Sequence, residues 1–272
     1  MQGIFEAQAT MCGIFGFVMR EQLSMTKVFQ TLYKLENSSH PGLDQKVGGY
    51  GAGVAVLLND GDIISEKVGQ SADSPVLTLE KSWKNGVKKA SVLISHVRNP
   101  SQDFMNTVKF KEAAQPFVEH FDPGLTIVSA HNGHVDNYAE LKARLKNHVF
   151  ESQKVGLVDS EIVPHYFGEL LNETTDSDEA VFSLLSNLKG SSTAALLQVD
   201  EENALVHLIH RGRTNGLTVW TNEKSEVIFS SRPEPVTQEL ESILSKHNFR
   251  TKASLNWHEN AVLKLSFPAT FQ

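Results

Sequence analysis

Apolar and polar positions along this chain fall into short blocks that predict strands towards both ends and helices clustered between them. Gly13 to Met19 is a continuous apolar run, the pattern of a strand buried on both faces. Thr26 to Leu35 places Val28, Leu32 and Leu35 at helical spacing, and a Ser-, Gly- and Pro-bearing loop follows to Gly49. Ala52 to Leu57 and Asp62 to Val68 are predicted strands joined by the turn residues Asn59-Asp60-Gly61. Thr78 to Lys88 is predicted helical, and Ala90 to Val97 is a strand ending at Arg98.

A further apolar strand, Leu125 to Ala130, runs into His131-Asn132-Gly133-His134. Asn137 is then a candidate N-cap for a helix with Leu141, Leu145 and Val149 on one face. Asp159 or Ser160 opens a second helix to about Leu171, and Ser177 or Asp178 opens a third that stops at Gly190. Two hairpin-like units follow, Ala194 to Val199 with Ala204 to His210, and Leu217 to Thr221 with Val227 to Ser231. A helix from about Pro235 to His247 and a strand from Ala261 to Phe267 complete the pattern. Strands, then helices, then strands imply an α+β layered fold rather than a parallel βαβ array. No Gly-rich linker divides the chain, so one domain is expected.

Composition narrows the function classes. Of 272 residues, 40% are hydrophobic and 21% charged, and the net charge is −7, so a nucleic-acid partner is not expected. No apolar run is long enough to cross a bilayer, and Met1 to Thr10 carries Glu6 without the basic residues and apolar core of a signal peptide. No membrane association and a cytoplasmic address are therefore the expectations. Histidine spacing suggests no metal, and His207 and His210 are read as exposed polar residues at a strand and its end. Neither a Walker loop nor a dinucleotide-binding glycine fingerprint is present.

Cys12 is the single cysteine, so no internal disulfide can form. A lone cysteine is either a buried filler or a nucleophile. At the start of a strand it has a special option once the residues before it are removed. Its own α-amine, with a pKa of about 7.7–8.0, then lies beside a thiol of about 8.5 and can take its proton.

Met11-Cys12-Gly13-Ile14-Phe15-Gly16 resembles the N-terminal signature of the class II glutamine amidotransferases, which are Ntn (N-terminal-nucleophile) hydrolases. Three more segments resemble that family in the same order: Ser95-His96-Val97-Arg98-Asn99-Pro100-Ser101, Ala130-His131-Asn132-Gly133-His134-Val135-Asp136-Asn137, and Val158-Asp159-Ser160-Glu161. The resemblance implies a four-layer αββα sandwich, two facing antiparallel sheets with helices outside. It implies that Cys12 attacks glutamine and that the Asn132 side chain and Gly133 backbone N–H form an oxyanion hole. Arg98 would bind the glutamine α-carboxylate and Asp159 its α-ammonium, with His96 and Ser101 supporting the pocket. No cofactor is implied.

The bland readings are a surface ion pair for Arg98, an Asn-Gly turn for Asn132 and Gly133, and a helix cap for Asp159. The family's Arg-Gly-x-Asp loop is replaced by His40-Pro41-Gly42-Leu43-Asp44, and its aromatic after the arginine by Asn99-Pro100. Residues 1–11 are read as a propeptide or as sequence upstream of the true start, and residues 12–272 as the amidotransferase domain. The expected function is hydrolysis of L-glutamine to glutamate and ammonia through a γ-glutamyl thioester, with the ammonia passed to a separate synthase subunit. The alternatives are an Ntn amidase acting on another γ-glutamyl compound and a silent regulatory subunit. A homo-oligomeric assembly is left open.

Overall fold

Strand β1 (Gly13–Ser24) sets the layering of the computed structural model, which describes residues 12–39, 45–174, 176–201 and 203–269. Its residues alternate between two apolar clusters: Ile14 and Val18 face a second sheet, while Phe15, Phe17 and Met19 face helices. Both faces are buried, which is why the sequence shows a continuous apolar run. Gly16 lies where strands crowd, since a Cβ there would come within 2.4 Å of the Leu93 carbonyl oxygen. The expected segments Met1–Met11 and His40–Asp44 lie outside the described residues.

The elements follow as α1 (Met25–Asn37), β2 (Gly51–Leu57), β3 (Ile63–Gly69), α2 (Pro75–Ser82), β4 (Lys89–Val97), β5 (Phe117–Phe121) and β6 (Leu125–Gly133). Next come α3 (Tyr138–Arg144), α4 (Ile162–Glu173), α5 (Ser177–Asn187), β7 (Ser192–Val199) and β8 (Ala204–Gly212). Then β9 (Leu217–Thr221), β10 (Val227–Ser230), α6 (Pro233–Lys246), β11 (Arg250–Leu255) and β12 (Ala261–Pro268). One sheet has the order β11-β9-β10-β1-β4-β2-β3 and the other β12-β8-β7-β6-β5, with antiparallel pairing in both.

Three clusters separate four layers. Val28 and Leu32 of α1, Leu79 of α2 and Val236 and Leu240 of α6 pack on the outer face of the seven-stranded sheet. Ile14, Ile94 and Phe229 meet Val128, Leu197 and Leu208 between the sheets. Ile162, Phe167 and Leu184 cover the outer face of the five-stranded sheet over Ile127, Leu196 and Ile209. Each large side chain buried this way contributes about 1.5–3 kcal/mol. The αββα sandwich of two facing antiparallel sheets is therefore the observed fold.

Several local expectations are corrected. The helix expected over Thr78–Lys88 is α2, which starts earlier because the Ser74 hydroxyl accepts the Leu77 N–H and Pro75 occupies its first turn. Val149 is 79% exposed and lies beyond α3 rather than on its buried face. His207 and His210 are buried, not exposed: His207 contacts Ser266 and Gln198, and His210 contacts Thr193 and the Gly212 carbonyl. Two strands were not expected from the pattern, β5 and β11, and each is an edge strand of its sheet. Edge strands bury little on one side, so their alternation is weak.

Candidate active site

Cys12 lies immediately before β1, and antiparallel pairing of Gly13 with Val97 brings it to the end of β4. Its Sγ is 3.2 Å from the Asn99 N–H, which donates to it, and 3.3 Å from the Asn99 carbonyl, which accepts from the thiol. The start of the strand is clamped from the other side. Asn215 donates its side-chain N–H to the Cys12 carbonyl at 2.8 Å, and the Ser231 hydroxyl accepts the Ile14 N–H at 3.0 Å. Burial pushes the thiol up to about 11, against the opposing pull of the Asn99 N–H and the Arg98 cation. At neutral pH the sulfur is therefore a thiol that needs a base.

Arg98 follows the end of β4 and is 3% exposed. Its guanidinium donates to the Thr107 hydroxyl at 2.7 Å and to the Thr107 carbonyl at 3.3 Å. Among the described residues it forms no ion pair, although the charge of Asp159, and that of Cys12 when ionised, act on it. A buried cation held only by neutral oxygens keeps most of its carboxylate-binding capacity. That excludes the surface ion pair as its role.

Asn132 and Gly133 end β6, opposite Thr193 and Ser192 of β7. The Asn132 side chain is fully buried, and neither its amide nitrogen nor its oxygen has a hydrogen-bond partner of ordinary geometry among the described residues. Such unmade bonds cost about 1–3 kcal/mol and are uncommon in folded proteins. Gly133 has φ +123°, and a Cβ there would lie 2.0 Å from the Ser191 carbonyl oxygen. No other residue type fits that position without moving the backbone.

Asp159 lies on a 3₁₀ turn, Asp159–Glu161, that leads into α4. It is not the helix cap that its position suggests. Its Oδ2 accepts the Val135 N–H at 2.8 Å and sits 3.2 Å from His134 Nδ1. Burial works to raise its pKa, but His134, His131 and the Val135 N–H outweigh it and hold the carboxyl below its ordinary value. The same hydrogen bond raises His134, against partial burial.

His96 joins the two sheets. It pairs with Ile14 across β1 and β4, and its Nε2 is 3.4 Å from the Gln115 amide. That amide donates to the His131 carbonyl and accepts the His131 N–H, extending the ladder of β6. Burial pushes His96 down to about 3, reinforced by Arg98 and His131 and only partly opposed by the nearby Asn132 amide. It is thus a neutral ring wedged beside Asn132. Ser101 follows Arg98 with a buried hydroxyl that has no partner among the described residues.

The structure brings Cys12, Arg98 and Asp159 within electrostatic reach of one another and sets His96 beside Arg98 and Asn132, with Gly133 next in the strand. Beside them, a pocket lined by Phe104, Thr107, His134 and Leu157 opens to solvent. Three residues went unremarked in the sequence: Thr107, which orients Arg98, and Asn215 and Ser231, which hold the strand bearing Cys12. Thr107 ends a 3₁₀ turn, Asn215 lies between two strands and Ser231 directly follows a strand, and no local pattern singles them out.

Comparisons with known proteins show the family and the fold of this chain. A family model described as "Glutamine amidotransferase domain" matches residues 103–238, half of the chain. The glutamine–fructose-6-phosphate aminotransferase (isomerizing) of Aquifex aeolicus is 32% identical over 198 residues, 72% of this chain and 29% of that protein. Its counterpart in Gluconobacter oxydans is 30% identical over 202 residues, 74% of this chain and 29% of that protein. The chain thus spans under a third of the length of these relatives. Among solved structures, glutamine phosphoribosylpyrophosphate amidotransferase from B. subtilis superposes with a TM-score of 0.62 at 15% identity, covering 93% of this chain and 49% of that one. At that identity the likeness concerns the fold.

Proposed function

We propose, on the premise that this chain belongs to the class II glutamine amidotransferase family, that it hydrolyses glutamine to glutamate and ammonia with Cys12 as the nucleophile. The observation that carries the reading is the buried set of Cys12, Arg98, Asn132 and Asp159. Arg98 and Asp159 act on the thiol with opposite charges, and the buried Asn132 amide beside His96 has no hydrogen bond of ordinary geometry among the described residues. Arg98 and Asp159 take the α-carboxylate and α-ammonium of the substrate, and Ser101 and His96 shape the pocket around them.

The thiol needs a base, and the neutral rings of His96 and His131, with pKa values of about 3 and 4, are too weak to serve. The α-amine of Cys12 is the base in a chain whose first residue is Cys12. It takes the thiol proton as sulfur attacks Cδ of the glutamine side chain. The negative charge that develops on the carbonyl oxygen is stabilised by the Asn132 amide and the Gly133 N–H. The amine then gives the proton to the departing nitrogen, ammonia leaves, and a γ-glutamyl thioester remains. Water, deprotonated by the same amine, cleaves the thioester to glutamate and regenerates the thiol.

Residues 1–11 are on this reading a propeptide or an upstream extension that must be absent from the active form. The ammonia passes to a synthase site, here proposed to lie on a separate subunit; relatives named for amino transfer onto fructose 6-phosphate support the transfer itself. The test is N-terminal sequencing paired with glutaminase assays of two forms, one beginning at Met1 and one at Cys12. Activity confined to the Cys12 form supports the mechanism. Equal activity in the form that retains Met1 to Met11 would exclude the amine as base. Co-purification of the native protein from its own cells then tests for the synthase subunit.

A further inference from the structure

A second cluster of chemistry-bearing groups lies behind Asp159, on the far side of the 3₁₀ turn. His165 of α4 is 1% exposed, and its Nε2 sits 3.1 Å from Glu119 Oε1 and 4.0 Å from Glu161 Oε1. One ligand atom from each of the three lies within 4.8 Å of the others. Despite these short distances, His165 Nε2 makes no hydrogen bond of acceptable geometry among the described residues. Neither Glu119 nor Glu161 is paired with a lysine or arginine among them.

The neighbouring contacts show what that nitrogen faces. His148 Nε2 lies 3.2 Å from Glu169 Oε1, and His148 Nδ1 lies 2.9 Å from His165 Nδ1. The His165 ring is engaged at Nδ1 by His148, while its buried Nε2 faces the carboxyl groups of Glu119 and Glu161 with no hydrogen bond of acceptable geometry among the described residues. The row Glu169–His148–His165 has the form of the outer partners that fix the tautomer of a metal-bound histidine.

We propose that His165, Glu119 and Glu161 form a binding site for a divalent transition-metal ion of the zinc type. One imidazole nitrogen and two carboxylates match the charge and donor preference of such an ion. Bonds of about 2.0–2.2 Å to ligands at tetrahedral angles place the ligand atoms roughly 3.3 Å apart, so the site needs only side-chain adjustment to close. Glu161 is already oriented, since its carboxylate accepts from the N–H groups of Glu151 and Ser152 and from the Ser152 hydroxyl. Phe150 packs on the His165 ring with centroids 4.2 Å apart. A pocket lined by Glu119, His148, His165 and Glu169 gives the ion a way in and leaves room for water as a further ligand. The ion ties edge strand β5 to the start of α4, two residues from Asp159. This inference does not rest on the glutaminase reading.

Histidine spacing along the chain carries no sign of this cluster, because Glu119 arrives from a distant edge strand. The test uses the whole chain, stripped with a chelator and titrated separately with Zn²⁺, Mn²⁺ and Mg²⁺ by calorimetry, with elemental analysis and melting curves. One equivalent of Zn²⁺ per chain and a raised melting temperature are expected. E119Q, at the edge of the pocket, should weaken Zn²⁺ binding by more than about 100-fold, and E169Q by about 10–100-fold through the outer partners. His165→Asn should also abolish binding, and if it fails to fold, E119Q alone decides. Absence of stoichiometric Zn²⁺ binding, or an affinity unchanged in E119Q, would overturn the proposal. So would an imidazolium on the His148–His165 pair that persists by NMR above pH 8 without metal.

Discussion

Asn132 and Asn137 lie within one short segment, both buried, and their side-chain amides have opposite fates. The Asn137 amide donates to the Asn187 carbonyl at 3.0 Å and accepts the Lys189 N–H at 2.9 Å. It clips the end of α5 to the segment after β6, and its two unlike hydrogen bonds complete the amide. The Asn132 amide, five residues earlier, is more deeply buried and makes no such bond of ordinary geometry among the described residues. Folding explains Asn137 in full and leaves Asn132 unexplained. A buried polar group without a hydrogen bond of ordinary geometry calls for an explanation, and the proposed oxyanion role supplies one. The same contrast separates Arg98, held among the described residues by Thr107 alone, from Arg211, whose guanidinium caps the Leu185 and Leu188 carbonyls.

The contrast breaks most easily at its centre. Cys12→Ala in the chain that begins at residue 12 should abolish glutamine hydrolysis while leaving the melting temperature nearly unchanged, because one buried sulfur atom is lost. Ammonia release above background in that variant would move the nucleophile elsewhere. Asn132→Ala should lower kcat by about 10²–10³-fold, the loss of one oxyanion donor. Its stability should change by less than about 1 kcal/mol, since the unmade bonds of Asn132 already cost the fold. A large fall in stability with intact kcat would make Asn132 a structural residue like its neighbour.

Asn137→Ala should reverse that signature. Losing both bonds leaves the Lys189 N–H and Asn187 carbonyl without partners, a loss of about 1–3 kcal/mol read from urea unfolding. The effect on kcat should be several-fold at most, since Asn137 faces α5 rather than Cys12. If kcat falls as far as in Asn132→Ala, the two amides act together and the distinction fails.

Much of this was legible from order and type of residues. The strand at Gly13, the strand ending at Arg98 and the strand ending at Asn132 are long apolar runs, so the ends that carry the site residues were readable. The sequence marks Asp159 as a substrate ligand by resemblance, with a helix cap as the bland alternative, and its carboxylate reaches across to Val135 instead of capping the helix. A local pattern cannot show such a long-range bond. Edge strands β5 and β11 stayed hidden because their exposed faces blur the alternation. His207 and His210 were misjudged for a related reason. Sheet register, not the neighbouring residues, supplies the hydroxyl and carbonyl partners that let a histidine be buried.

The smallest effect expected is at His134, which belongs to both halves of the contrast because it shares Asp159 with the proposed substrate site. Asp159 raises the pKa of His134 in the folded chain above its ordinary value of about 6.5. A group raised on folding adds stability that is fully present below its unfolded pKa and is lost as pH climbs through the folded value. Asp159 is lowered, so its contribution is present above its unfolded pKa and is lost only as pH falls through the folded value in acid. The pair is therefore strongest between those limits, from mildly acidic to near-neutral pH. His134→Gln should remove the loss on the alkaline side and leave a flatter profile of urea midpoint against pH between 6 and 9. The change should be slight, because the His134 side chain is 38% exposed and solvent screens the contact. A difference between wild type and variant that grows as pH rises would reverse the sign, and would mean that neutral His134, not the cation, is the form Asp159 holds.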